Sequence, residues 1–172
     1  MNLLPQTYLL GLVGLLSIVA VVVGRQLLRV RRDEARLIEL EQTGAAGSRQ
    51  ASDLYELGSV QLRKRLYPQA TASLKQALKR ASGEPEEARA VIENALGFSL
   101  AAQKDYEGAV GHYKLALRAK PDYPVAINNL AFAQDKLLQT EEAADLYRKT
   151  LELDPGNTTA RKRLKQLERR LG

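Results

Sequence analysis

The chain of 172 residues has no cysteine. Disulfide scaffolds, thiolate-bound zinc and thiol nucleophiles are therefore excluded. There is one histidine, His112, so a His-pair metal site is impossible and any Ser-His-Asp relay would have to run through that residue. Tryptophan is absent, phenylalanine occurs twice, and glycine and proline are sparse. Ala, Leu, Arg, Glu, Lys and Gln dominate instead, and these residues lose little on entering a helix. An all-α chain is the expectation. There is no phosphate-cradling glycine loop and no metal-ligand spacing. No cofactor, no metal, no small-molecule substrate and no enzymatic activity are expected. Acidic pairs such as Glu86/Glu87 and Glu141/Glu142 fit helix openings, where exposed N–H groups favour negative charge.

Charge itself is missing from one region. Residues 1–24 carry no charged side chain, and all 26 Lys and Arg and all 20 Asp and Glu follow Gly24. From Tyr8 to Val23 (YLLGLVGLLSIVAVVV) the only polar groups are the phenol and Ser17. With Thr7 and Gly24 this run reaches about 18 residues, the lower end for a bilayer span. A cleaved signal peptide would put basic residues before the apolar run and a small-residue cleavage site after it. Here Arg25, Arg29, Arg31 and Arg32 come after it. The expectation is an uncleaved transmembrane anchor over 1–24, with the arginines and all that follows on the cytoplasmic or stromal side. Residues 25–42 read as an amphipathic Arg-rich stalk helix with Leu27, Leu28, Leu37, Ile38 and Leu40 on its apolar face. Residues 43–50, small and Gly-containing at Thr43–Ser48, read as a linker.

The remainder repeats itself. The segment from Ala90 (AVIENALGFSLAAQKDYEGAVGHYKLALRAKPDY) matches that from Pro124 (PVAINNLAFAQDKLLQTEEAADLYRKTLELDPGN), 34 residues later. Leu96 meets Leu130, Gly97 meets Ala131, Ala109 meets Ala143, Tyr113 meets Tyr147 and Pro121 meets Pro155. A third copy from Ala51 places Leu57, Gly58, Tyr67, Ala70, Leu74 and Ala77 at the same offsets. Gly58, Gly97 and Ala131 suit a close crossing of two helices. Leu57, Leu96 and Leu130, with Leu74, Tyr113 and Tyr147, fill the space between them. Pro121 and Pro155 stop second helices, and Pro124 opens a first one. The bulky position of the pattern holds Leu54, Glu93 and Ile127. The first two copies start 39 residues apart, so an insert near Pro85–Arg89 should lengthen either the second helix of the first repeat or the loop after it.

This period and pattern resemble the tetratricopeptide repeat, a helix–turn–helix unit. The resemblance covers residues 51–157. It implies repeats at 51–84, 90–123 and 124–157, with an insert at 85–89, stacked as a right-handed α-α superhelix. Residues 158–172 then act as a basic capping helix, with Leu164, Leu167 and Leu171 facing the last repeat and Asn157 as N-cap. In this family the first helix of each repeat lines a concave face. The groove-facing positions are then Tyr55, Ser59, Leu62, Arg63, Asn94, Phe98, Ala101, Asn128, Phe132, Asp135 and Lys136, an aromatic and amide lining suited to a peptide. Chaperone-docking members hold a terminal carboxylate with a basic clamp, whereas the matching places here are Tyr55, Ser59, Ala95, Val125 and Asn129. Chaperone C-termini are thus not expected. His112 falls outside the groove as a surface or packing residue.

Residues 51–157 hold 14 basic and 15 acidic residues, while 158–172 hold six basic and one acidic. The basic excess of the cap comes from Arg161, Lys162, Arg163, Lys165, Arg169 and Arg170. Nucleic acid would require a continuous basic stripe, so no nucleic-acid partner is expected. A single N-terminal span, an Arg-rich stalk and three repeats together resemble the photosystem I assembly factors of cyanobacteria and plastids. That resemblance implies a thylakoid-anchored scaffold whose partners are photosystem I subunits or other assembly factors. The alternatives are a bacterial membrane-anchored adaptor in secretion or envelope assembly and, from another class, a nucleic-acid-associated adaptor using the basic cap.

Overall fold

In the computed structural model the backbone is described for residues 4–44 and 50–171, and side chains for 8–40 and 50–170. Most of the expected linker, and the Leu171 side chain, lie outside the described residues. The chain divides into two compact units, residues 1–45 and 46–172.

The first unit is one helix, α1 (Leu4–Gly44). Its 41 residues give a rod of about 60 Å at 1.5 Å per residue, twice the thickness of a hydrocarbon core. Every side chain from Tyr8 to Val23 is exposed. The helix is long and apolar enough to cross a membrane. Ser17, the one hydroxyl in mid-run, donates to the Val13 carbonyl at 2.8 Å, so it brings no unpaired donor into an apolar surrounding. Beyond the apolar run Arg36 and Glu39 pair at 2.9 Å, one turn apart.

The second unit is all-helical: α2 (Ala51–Arg63), α3 (Tyr67–Arg80), α4 (Glu86–Ala102), α5 (Tyr106–Ala119), α6 (Pro124–Lys136), α7 (Thr140–Leu153) and α8 (Thr158–Leu171). Each helix packs on its neighbours in sequence, and α4 also touches α2 and α6. That order makes a solenoid of three helix pairs closed by α8, the superhelix expected from the repeats. Starts are locally encoded. Pro68 and Pro124 stand in the opening turns of α3 and α6, where no N–H is needed. Asp105 Oδ1 accepts from Gly108 N at 2.9 Å, and Asn157 Oδ1 from Ala160 N at 3.0 Å, so Asn157 is the cap read from the sequence.

The insert takes neither of the two expected forms. α3 has 14 residues, as do α5 and α7, so the second helix of the first repeat is not lengthened. Most of the extra chain becomes the N-terminal turn of α4, which has 17 residues against 13 in α2 and α6. The reason is local. Pro85 can precede a helix, Glu86 and Glu87 favour its positive end, and Ala88 through Ala90 are strong helix formers.

The turn within each repeat shares one device. Arg65, Lys104 and Leu138 adopt left-handed backbone, with φ of 60°, 68° and 63°. The next residue donates back across the helix end: Leu66 N to Gln61 O at 2.8 Å, Asp105 N to Leu100 O at 3.0 Å, and Gln139 N to Gln134 O at 3.0 Å. This is the Schellman closure, at a position where glycine is favoured because it has no Cβ to clash.

Between paired helices the core is nearly free of exposure: Leu57, Leu74, Leu96, Tyr113, Leu130 and Tyr147 are all buried. A Cβ on Gly58 would lie 2.7 Å from Leu74 Cγ, and one on Gly97 would lie 2.7 Å from Tyr113 Cε1. In α8, Leu167 is buried and Leu164 packs against the cluster of Ala131, Ala143, Tyr147 and Ala160.

Two stability predictions result. Gly97→Ala gains helix propensity of about 1 kcal/mol but overpacks a buried ring, a cost of roughly 1–3 kcal/mol or more. Its urea midpoint should fall. Lys104→Gly should raise the midpoint by the equivalent of about 1 kcal/mol, because it removes left-handed strain.

Candidate functional site

Four of the expected groove residues surround one cavity. Phe98 and Ala101 come from α4, Asn128 and Phe132 from α6, and together they border a space of about 350 Å³. Its other walls are Ala102, Tyr113, Asn129, Tyr147, Thr159 and Arg163. The solenoid order places them there: α4 and α6 stand side by side, α5 and α7 lie behind, and α8 closes the end. Phe98 is 45% exposed, so it is surface rather than core. Phe132 is half-buried and meets Tyr106 edge-on, with ring centroids 6.3 Å apart. Lys136 Nζ and Arg163 Cζ each lie 5.5 Å from the Phe132 centroid, a cation–π arrangement.

The remaining expected residues lie elsewhere. Tyr55 and Leu62 pack on the core of the first repeat. Ser59 is half-buried, and its carbonyl accepts from Arg63 Nη1 at 3.4 Å. Asn94 Oδ1 accepts from Asn129 Nδ2 at 3.0 Å, which links the first helices of repeats two and three. Asp135 is engaged by Arg170 at 2.9 Å. The basic cap is not one surface. Arg161 donates to the Pro155 carbonyl, Arg163 turns to Phe132 and Arg170 to Asp135, leaving Lys162, Lys165 and Arg169 on the exposed side.

Sequence reasoning treated Tyr113 and Tyr147 only as filler and Arg163 only as cap charge, although all three line the cavity. Tyr147 is fully buried, and among the described residues its hydroxyl and Asn128 Oδ1 have no hydrogen-bond partner. Burial pushes the Tyr147 phenol up to about 12; nearby Arg163 opposes that shift and Asp135 adds to it. Burial also pushes Tyr113 up. Tyr123 is raised by burial and then by Tyr55, while its hydrogen bond with Asn94 pulls the other way. His112 Nδ1 lies 2.6 Å from Glu93 Oε2. The histidine is thus the polar partner of the acid at the bulky repeat position, and the pair sits among the packing contacts of repeat two. No group of three metal-ligating side chains occurs among the described residues.

The tyrosines set an alkaline limit. An unfolded tyrosine ionises near 10 and folded Tyr147 near 12, so the unfolded state loses its proton first. Stability should be intact below pH 10 and should fall between pH 10 and 12, by about 1.4 kcal/mol per pH unit for this residue. Urea titrations at stepped pH should show that loss, and Tyr147→Phe should reduce its slope.

The solenoid and its concave cavity define a protein-interaction module of the tetratricopeptide repeat class. The family model described as tetratricopeptide repeat matches residues 55–124. A ycf37 protein of Guillardia theta is 30% identical over 98% of this chain and 95% of its own length. The chain belongs to this ycf37 family of tetratricopeptide repeat proteins. The tetratricopeptide repeat domain-containing protein PYG7, chloroplastic, of Arabidopsis thaliana is 33% identical over 96% of this chain, which spans 54% of that relative. Among solved structures, the first repeat domain of Spaghetti (RPAP3), bound to an HSP90 peptide, superimposes with a TM-score of 0.66 at 23% identity, covering 71% of this chain and 93% of the other. That likeness concerns the fold.

Proposed function

We propose that this protein is a membrane-anchored scaffold that holds photosystem I subunits, or their other assembly factors, while the complex is built at the thylakoid membrane. The observation that carries the proposal is that one chain combines an apolar α1 with a tetratricopeptide solenoid bearing an open cavity. Anchoring over 1–24, with Arg25, Arg29, Arg31 and Arg32 on the cytoplasmic or stromal side, would confine the groove to the surface where membrane subunits emerge. Confinement raises effective concentration without any new contact. The near balance of 14 basic and 15 acidic residues over 51–157 favours protein partners over nucleic acid. The chloroplastic relative supports a plastid-type membrane.

Affinity purification of the full chain in mild detergent, followed by mass spectrometry, tests this reading. Photosystem I subunits should be enriched over a control bait; recovery of secretion or envelope components in their place would overturn it. Removing residues 1–24 should release the protein from membranes and abolish its support of photosystem I accumulation.

A further inference from the structure

We propose that the outward face of α8 docks on anionic lipid headgroups, with Lys162, Lys165 and Arg169 as the contact. The inference rests on the reading of α1 as a membrane anchor. It gives the anchored chain a second, purely electrostatic attachment at the α8 end of the solenoid.

The first observation is where the charge lies. Residues 158–172 hold six basic residues and one acidic, so they carry +5 of the chain's net +6. Within α8 these cations divide by partner. Arg161 donates to the Pro155 carbonyl, Arg163 stands over Phe132 and Arg170 pairs with Asp135. Glu168, the acid of the helix, is drawn to Arg148 on α7 at 3.4 Å. Lys162, Lys165 and Arg169 are exposed, and no acid pairs with them among the described residues. At about 100° per residue the three fall within about 60° of arc and about 10 Å of helix axis. They stand opposite Ala160 and Leu167, which are buried.

The second observation is what this face cannot receive. α6 starts at Pro124 and α8 at Thr158, so α8 keeps the register of a first helix. In α6, Ala131 packs with Ala143, Ala144 and Tyr147 of α7, and Gln134 donates to Glu142 at 2.6 Å. The matching places in α8 hold Lys165 and Glu168, both exposed. A helix packed there in the manner of α7 would bury both charges at high cost. Protein interfaces also centre on apolar side chains and favour arginine over lysine. No large apolar side chain of α8 is exposed among the described residues, and Thr158 and Gln166 flank the stripe. The face suits a wet, charged partner.

Headgroups ask for no more than that. A negatively charged leaflet attracts lysine and arginine without a fixed pairing geometry, and each cation near it strengthens attachment roughly fivefold. Three give on the order of a hundredfold, too little to hold a free protein firmly on a bilayer. On a chain already tethered, the same gain acts on an intramolecular equilibrium, where the local concentration of lipid is high. A short stripe therefore suffices beside an anchor such as α1.

The chain has no cysteine, so a single Gln166→Cys accepts one fluorescent label beside the stripe. The labelled full chain is reconstituted into lipid nanodiscs that contain a lipid with a nitroxide headgroup, which quenches only near contact. Quenching should be deeper by roughly twofold or more with phosphatidylglycerol in the disc than with phosphatidylcholine alone, and high salt should abolish the difference. Lys162→Gln, Lys165→Gln and Arg169→Gln together should abolish it as well. Lys75→Gln, Lys79→Gln and Lys114→Gln together, an equal loss of charge, should not. Both triple variants should melt with the labelled parent, since all six positions are exposed. Equal quenching in the two discs, or an undiminished difference in the cap variant, overturns the docking. If quenching is equal and the cap variant loses its protein partners in affinity purification, the stripe belongs to an acidic protein instead. A chain that co-elutes with the discs without lipid-dependent quenching overturns the docking alone and leaves the anchor standing. A chain that co-elutes with neither disc overturns the anchor reading, and the docking with it.

Discussion

The architecture depends on how closely the two helices of each repeat cross. At Gly58, Gly97 and Ala131 the first helix presents almost no side chain, and the second helix answers with Leu74, Tyr113 and Tyr147, all buried. The tight approach at Gly97 is set by the Tyr113 ring, 2.7 Å from where a Cβ would stand. A small residue facing a large one fixes the crossing. Repetition of that crossing at constant offset curves the stack, and the curve creates the concave face. The same side chains also supply its floor. Tyr147 packs with Ala131 in the last-repeat core, and its phenol also borders the cavity. Fold and cavity therefore share a residue.

Much of this was legible in the sequence because a repeat states each constraint several times. Leu96/Leu130, Gly97/Ala131 and Tyr113/Tyr147 each occupy the same place twice, and the copy from Ala51 adds a third vote. Features that break the repeat were harder to read. The insert near Pro85 was expected in the second helix of the first repeat or in the loop after it, whereas Pro85, Glu86 and Glu87 together assign it to α4. Glu93 stood out as an acid at a bulky apolar position, but its pairing with His112 depends on how two helices face each other. The left-handed turns at Arg65, Lys104 and Leu138 carry no sequence signature at all, since none is glycine. Their conformation is imposed by the closure of two packed helices over a short turn, so tertiary structure overrides local preference there.

The groove was legible as a face but not as a site. The repeat resemblance implies which residues of α4 and α6 face the groove, and Phe98, Ala101, Asn128 and Phe132 border the cavity. It cannot find Arg163, which belongs to no repeat. The capping helix is usually described by what it hides, and here Leu167 and Ala160 do cover the last repeat. Its basic side chains then divide according to their helical angle. Arg163 and Arg170 reach back toward α6, while Lys162, Lys165 and Arg169 face outward.

That division gives the cap a second consequence. A solenoid groove without a closing helix presents similar first-helix surfaces along its length, so a bound chain could slide in register. A single cation contributed from outside the repeat breaks that equivalence at one end. A scaffold on a membrane gains from this arrangement. Confinement by α1 would multiply all encounters alike, wanted or not, by raising local concentration. For the scaffold proposed above, discrimination would therefore have to come from the groove surface and not from the anchor.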